Sequence, residues 1–260
     1  MTLLHDFFAK TLAIAAMEIR KLRHDPTELA TRAIQPALWL LIFGQVMSHG
    51  RMVDTGGLPY LDFLVPGVLA QSVLFIAIFN GISIIWERDL GIVHKFLASP
   101  TPRAALVVGK ALGGGVRALS QVVVILILAL LLGVEVRWSP LALLGVVALV
   151  LLGAMVFSTF SLIIACLVKT RERFMGIGQV LTMPLFFASN AIYPTSMMPG
   201  WLQAISHVNP LTYQIDGLRA FLLPAGPVAP LGIALDIAVL ALSLVALVAV
   251  SARLYPNIVR

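Results

Sequence analysis

Long stretches without charge dominate the pattern of apolar and polar positions along the chain. The charge-free windows 33–50 and 63–86 hold 18 and 24 residues, and a helix needs about 20 mostly apolar residues to cross the hydrocarbon core of a bilayer. The window 174–215 is too long for one helix and contains several prolines, among them Pro184 and Pro194. The pattern therefore predicts an all-α membrane protein with six transmembrane helices. These cover about 33–50, 63–86, 112–134, 140–168, 175–192 and 228–252.

The residues before the first span have an amphipathic pattern. Apolar residues recur at three- and four-residue steps over 4–24, whereas Lys10, Arg20 and Lys21 lie largely off that face. Residues 1–32 are therefore expected to form an N-terminal cytoplasmic interface helix whose cations lie near lipid phosphates. A charged lead-in to the first span is the alternative. Residues 33–260 would then form one six-span transmembrane domain.

The composition agrees with a membrane chain, because 60% of the residues are hydrophobic and only 12% are charged. Soluble domains are about 45–50% apolar and about 25% charged, so a soluble enzyme and a disordered chain are both excluded. The net charge of +6 comes from short basic clusters between the apolar stretches, which indicates membrane topology and not nucleic-acid binding.

The positions of the basic residues predict the orientation. Six spans place both termini on one side, and 15 of the 18 lysines and arginines fall on that side; only Arg51, Arg137 and Arg219 lie opposite. Positive charge accumulates in cytoplasmic loops. We therefore expect a multi-pass protein of the cytoplasmic (inner) membrane with cytoplasmic N- and C-termini.

The predicted spans contain little chemistry. None carries an acid, lysine or arginine near its middle, and Asp236 is expected to reach the interface by snorkelling. Gly109-Lys110 is not part of a phosphate-binding loop, because Ala111 stands where a serine or threonine is needed. Glycines 113–115 are expected to permit close approach of a neighbouring helix. We predict no catalytic residue, cofactor or metal site in this chain, so energy for uphill transport would have to come from outside it.

The segment 87–103, between the second and third predicted spans, combines a charged start with a helical apolar stripe. Leu90, Val93 and Leu97 share one face, and Pro100 ends the helix. Such a short amphipathic helix can lie on the bilayer or insert into a groove of a partner protein. The pattern alone does not choose between these two.

A second distinctive segment, 194–223, precedes the last span and is expected to lie at the outer surface or to re-enter the membrane. Asn209 as N-cap and Pro210 as first helical residue begin a helix there. Asp216 and Arg219 lie three residues apart and can pair near the outer interface.

Both segments resemble those of the permease subunits of type-2 ATP-binding-cassette (ABC) exporters, especially the daunorubicin-resistance-like branch. Ile92 and His94 depart from the family pattern, which commonly has a threonine and an acid there. The matching residues of the first segment and its continuation are Glu87, Arg88, Gly91, Phe96, Leu97, Ser99, Pro100, Arg103, Gly109 and Lys110. Those of the second are Asn209, Pro210, Leu211, Thr212, Tyr213, Asp216, Leu218 and Arg219.

The resemblance implies two functional regions. The first is a coupling helix that contacts the ATPase through Glu87, Arg88, Gly91, Val93, His94, Phe96, Leu97, Pro100 and Arg103. The second is an outer gate formed by Asn209, Pro210, Tyr213, Asp216 and Arg219.

The resemblance also implies partners and a substrate class. A second copy or a homologous permease would complete the pathway, and separate ABC ATPase subunits would bind ATP and Mg. The substrate would be hydrophobic or amphiphilic, such as a drug or a lipid-like molecule. Two alternatives remain: a permease for polysaccharide or lipo-oligosaccharide export, and a membrane scaffold that transports nothing.

Overall fold

The computed structural model describes residues 2–22, 33–50, 53–99, 101–224 and 232–259, and the regular structure of these residues is entirely helical. An all-helical chain is what the sequence predicts. The helices are α1 (Thr2–Leu22), α2 (33–50), α3 (Tyr60–Phe79), α4 (Ile82–Asp89), α5 (Ile92–Ala98), α6 (Arg103–Leu131), α7 (Pro140–Leu167), α8 (Arg171–Phe187), α9 (Gly200–Val208), α10 (Pro210–Leu222) and α11 (Ile233–Leu254). Two short 3₁₀ helices cover Thr195–Met197 and Tyr255–Val259, and Trp39–Gly44 within α2 is π-helical.

Four stretches of the described residues are long and apolar enough to cross a membrane. They are Tyr60–Asp89, Arg103–Leu131, Pro140–Leu167 and Ile233–Leu254. Four of the six predicted spans are therefore matched by length and composition. The other two correspond to α2, with 18 residues, and α8, with 17 residues, and they stay predictions. Val228, the expected start of the last span, lies outside the described residues.

Helix α3 lies at the centre of the fold. It packs against α6, α7 and α10, with α2 and α8 beside it. Of its residues only Leu61, Phe75 and Phe79 are not buried. A helix that is apolar on all sides is buried on all sides, and α3 follows this rule.

Helices α3 and α4 together form the candidate span Tyr60–Asp89, as the sequence predicts over 63–86, although the regular helix is interrupted between them. The interruption lies at Asn80 and Gly81, which keep right-handed helical backbone angles, and the Gly81 N–H donates to the hydroxyl of Ser161 on α7 at 3.1 Å. The Ser161 hydroxyl donates in turn to the carbonyl of Ile78. A Cβ on Gly81 would lie 2.3 Å from the Ser161 oxygen, so only glycine fits this close contact.

The glycine run of α6 permits close helix packing, as predicted. A Cβ on Gly113 would lie 2.4 Å from the Cβ of Glu18 on α1, and one on Gly114 would lie 2.5 Å from the hydroxyl of Ser158 on α7. Helix α1 packs along α6 through Thr11, Glu18 and their neighbours, whereas the other side of α1 is exposed.

Helix α10 is buried between α3, α7 and α11. Of the two alternatives predicted for segment 194–223, this burial favours re-entry over a helix lying on the surface. The physical reason for the burial is that α10 presents apolar residues to three neighbours at once, including the fully buried Leu211, Ile215 and Leu218.

Candidate functional site

A buried ion cluster joins four helices at the end of the molecule that carries α4 and α5, which we call the elbow (residues 82–98). The Lys110 ammonium on α6 lies 3.4 Å from a carboxylate oxygen of Glu18 on α1 and donates a hydrogen bond to Glu87 on α4. It also lies 5.6 Å from the centroid of the Phe96 ring on α5. The Lys110 side chain is 2% exposed and each carboxylate side chain is 5% exposed.

This cluster fixes the elbow to the spanning helices. A charge removed from water costs several kcal/mol unless it is paired, so these three groups stabilise one another inside the protein. The sequence indicates that Lys110 has a partner, because it is the one charged residue in the apolar run from Ala104 to Val116. A lone charge in an apolar run requires a partner, but the sequence does not tell which acid supplies it.

The apolar stripe of α5 packs against the chain itself. Val93 is fully buried, and Phe96 and Leu97 pack against a cluster that includes Leu106 and Leu162. In the structure the stripe thus packs into the chain's own core, with the turn Tyr255–Val259 among its direct contacts. Of the residues predicted for coupling, Pro100 lies outside the described residues.

The exposed side of the elbow is small and mixed in character. Leu90 is 69% exposed at the α4–α5 turn, followed by Gly91 with φ of +71°, a conformation that favours glycine. His94 and Lys95 are exposed on α5. These residues are exposed on the elbow, as Trp86 and Asp89 are, and we call Leu90, His94 and Lys95 the elbow face.

The elbow also contacts the connection between α7 and α8. Arg88 donates to Asp89 at 2.9 Å and to the Lys169 carbonyl at 2.7 Å. Arg171, the first residue of α8, donates to Asp89 at 2.7 Å, and its guanidinium lies 3.5 Å from the centroid of the Trp86 ring. Ion pairs this exposed add little stability, so their relevance is that they connect α4 with the start of α8.

The turn after α11 closes the same region from the other side. Tyr255 is fully buried and, with Ile258, packs into the cluster that holds Val93. Burial raises the pKa of the Tyr255 phenol, and the nearby negative charge of Glu87 raises it further. The phenol is therefore neutral at physiological pH and adds no third negative charge beside Glu87 and Glu18.

The opposite end of the molecule contains the residues predicted for an outer gate. Asn209 caps α10 as predicted: its side chain accepts from the Leu211 N–H at 3.0 Å and donates to the Leu185 carbonyl at 2.7 Å. Pro210 begins the helix, and the Tyr213 hydroxyl donates to the His207 carbonyl at 2.7 Å.

Asp216 and Arg219 lie in the interior, on either side of Asn190. Asp216 accepts from the Asn190 amide at 3.0 Å, and Arg219 donates to the Asn190 carbonyl at 2.5 Å. The Arg219 guanidinium also lies 3.8 Å from the centroid of the Phe63 ring on α3. A cavity of about 250 Å³ reaches these groups from the exposed Asp54. The gate residues thus connect α10, α3 and the loop after α8.

Asp236 contradicts the expectation that it snorkels to the interface. Its side chain is completely buried, and neither carboxylate oxygen has a hydrogen-bond partner. The reason is that α11 packs on α10, so that the Asp236 carboxylate faces Gly217, where a Cβ would lie 3.7 Å from its Oδ2. Together with Lys110 on α6, Asp236 shows that the apolar helices contain ionisable groups in their interior.

Comparison with known proteins identifies relatives along most of the chain. The family model described as "ABC-2 type transporter" matches residues 9–223. The protein named transport permease ycf38 of Cyanophora paradoxa is 29% identical over 216 residues, covering 82% of this chain and 74% of the relative. The daunorubicin resistance ABC transporter permease protein DrrB1 of Streptomyces coeruleorubidus is 27% identical over 197 residues, covering 76% and 69%. The inner membrane transport permease YadH of Escherichia coli K12 is 26% identical over 222 residues, covering 84% of each chain.

Proposed function

The chain belongs to the ABC-2 type transporter family, and from that membership we propose that it is the permease subunit of an ATP-driven exporter in the cytoplasmic membrane. It has no enzymatic role of its own in this proposal. Two separate ABC ATPase subunits bind ATP and Mg, and a second copy of the chain or a homologous permease completes the pathway. The relatives named as transport permeases support this assignment.

In the proposed topology, α2 and α8 are spans alongside the four long apolar stretches. At 1.5 Å per residue, α2 is about 27 Å long and α8 about 26 Å, close to the roughly 30 Å of hydrocarbon. Six spans then place α1, the elbow, the α7–α8 connection and the C-terminus on the cytoplasmic side. This side also holds most of the basic residues.

The observation that carries the proposal is the attachment of the elbow. Its exposed face carries Leu90, His94 and Lys95, while its inner face is fixed to α6 and α1 by the Lys110 cluster. A force on the elbow face therefore moves α4 and α5 together with the spanning helices. The buried ion cluster and the close-packed hydrophobic cluster around Val93 prevent the elbow from moving by itself. A segment built in this way is suited to receive force from a cytoplasmic motor.

The proposed mechanism follows from these attachments. ATP-driven closure of the ATPase pair displaces the elbow, and the Arg88–Asp89–Arg171 contacts pass the displacement to α8 while Lys110 passes it to α6. At the opposite end, α10 is held by Arg219 against α3 and the loop after α8. Rearrangement of these helices opens the exit for the substrate.

The proposed substrate is hydrophobic or amphiphilic, a drug or a lipid-like molecule. The support is the apolar character of the spanning helices, in which Lys110 and Asp236 lie near the helix ends. The permease of a polysaccharide or lipo-oligosaccharide exporter and a scaffold that transports nothing are the competing outcomes of the test below.

The test disrupts the elbow face without disturbing the core. Leu90→Asp places a charge on an exposed residue, so the chain should insert and fold normally. In proteoliposomes that contain the permease and its co-purified ATPase, we expect transport to fall at least tenfold while ATP hydrolysis becomes independent of substrate. Leu141→Asp is the matched control: Leu141 is 77% exposed in the first turn of α7, where an acid is favourable.

The outcomes separate the alternatives. Equal transport by Leu90→Asp and wild type would contradict coupling through the elbow. Export of a polyprenyl-linked glycan in place of lipophilic drugs would favour the polysaccharide permease. A chain purified from native membranes without any ATPase would favour the scaffold.

A further inference from the structure

A cavity of about 280 Å³ lies between α2, α3 and α6, away from both the elbow cluster and the gate residues. Its lining combines amide groups with aromatic rings. The lining includes the side chains of Gln35, Gln71, Ser72, Phe75, Phe79 and Gln121.

Two of these glutamines are buried with unused hydrogen-bonding groups. Gln121 is 0% exposed, and neither its amide nitrogen nor its amide oxygen has a partner. Gln71 is 2% exposed, and its amide nitrogen has no partner. An unsatisfied buried amide costs about 1–3 kcal/mol, and native proteins contain few of them. Two such amides on one cavity wall are therefore arranged for a ligand that satisfies them.

The cavity reaches from mid-depth towards the elbow end. Gln71 lies about 12 Å from the Phe79 end of α3 at 1.5 Å per residue. Gln35 lies near the first residue of α2, and it lines the cavity together with Phe79. A molecule in the leaflet on the elbow side can therefore reach the amides without crossing the whole bundle.

The lining selects the chemistry of the ligand. None of the described residues that line the cavity is charged, so a charged group would enter at a high desolvation cost. The amides both donate and accept hydrogen bonds, and the rings of Phe75 and Phe79, stacked 6.1 Å apart, give an apolar wall. At about 280 Å³ the cavity is slightly below the roughly 300–1,000 Å³ of pockets that hold whole drug-sized ligands. It suits a head group, with the tail left in the bilayer.

We propose that this cavity binds the uncharged head group of the exported amphiphile, a group that carries hydroxyls or carbonyls, through the amides of Gln71 and Gln121. The proposal rests on the proposed function and deepens it by naming the substrate class. Cationic amphiphiles of similar tail length are rejected, since the cavity offers no countercharge.

The test measures binding to the permease alone in phosphatidylcholine nanodiscs. The probes are radiolabelled dioctanoylglycerol, whose uncharged head carries a hydroxyl and ester carbonyls, and radiolabelled dodecyltrimethylammonium. We expect saturable binding of dioctanoylglycerol only. Gln121→Leu and Gln71→Leu should each weaken it about tenfold, the loss of one hydrogen bond in a desolvated site. Gln45→Leu, a change of an exposed residue of α2 outside the cavity, should leave binding unchanged.

A stability measurement separates binding from a structural role. Because each leucine removes an amide with an unused group, the unfolding midpoints of Gln121→Leu and Gln71→Leu should equal or exceed that of wild type. Lower midpoints, no saturable binding of dioctanoylglycerol, or equal binding of the cation would each overturn the proposal. Binding is measured without the ATPase. If the cavity binds dioctanoylglycerol but the chain does not transport with ATP, the proposed function is refuted and the cavity proposal is not.

Discussion

Replacing Lys110 by methionine removes one charge from the elbow cluster and keeps a side chain of similar length. Glu18 and Glu87 would then remain buried without the ammonium that lies between them. At an effective dielectric constant of about 20, two unit charges 3.4 Å apart attract by about 5 kcal/mol. In the intact cluster, the cost of removing the charges from water offsets much of this attraction. In the variant the carboxylates stay buried and keep that cost, whereas the attraction to the ammonium is lost. Removal of one partner of a buried pair costs about 3–5 kcal/mol, and we expect a loss of this size.

The assay is unfolding by SDS in mixed micelles, followed by tryptophan fluorescence. A triple variant, Glu18→Gln with Lys110→Met and Glu87→Gln, carries no charge in the cluster and serves as the control. Neutral replacement of a buried ion pair is often without cost, so this variant should unfold within about 1 kcal/mol of wild type. The reasoning would be refuted if Lys110→Met cost less than about 1 kcal/mol, or if the triple variant were no more stable than Lys110→Met.

Two further predictions use the same assay. Gly114→Ala should cost about 1–3 kcal/mol, because its Cβ would lie 2.5 Å from the Ser158 hydroxyl. Gly176→Ala on α8, with nothing within 4 Å, should instead gain about 0.5–1 kcal/mol from helix propensity; equal effects of the two would argue against close packing at Gly114. Asp236→Asn should not lower the unfolding midpoint, since a buried carboxylate without partners is stable only when neutral. A loss above about 1 kcal/mol would mean that Asp236 is charged and paired.

The parts of the fold that the sequence predicts are those fixed by local chemistry. Pro140 begins α7 where the predicted span 140–168 begins, and the Ser139 hydroxyl caps the helix by accepting from the Ala142 N–H at 3.2 Å. Asn209 and Pro210 begin α10 in the same manner. Capping depends on residues within one turn, so each signal is complete in a few letters of sequence.

The parts that the sequence did not predict depend on distant residues. The interruption at Gly81 involves the hydroxyl of Ser161, and the burial of Asp236 depends on the packing of α11 against α10. The apolar stripe on α5 is visible in the sequence, but a stripe is equally consistent with lipid, a partner or the chain's own core. Only the packing of α5 against the turn after α11, with Val93 and Tyr255 in one buried cluster, reveals the third case.

The same limit applies to the candidate site. The residues of the elbow and of the gate could be picked out from the sequence, because charges, prolines and an N-cap mark them. The pairing of Lys110 with Glu18 could not, since the two are separated by 92 positions and nothing local connects them.

The central claim is that the work of transport enters through the elbow from a cytoplasmic ATPase. The most direct measurement compares energy sources in proteoliposomes with a fixed amphiphilic substrate. With the co-purified ATPase present, ATP alone should drive uptake into inverted vesicles, and the permease without the ATPase should not respond to a proton or sodium gradient. Uphill transport by the permease alone, powered only by an ion gradient, would contradict the account.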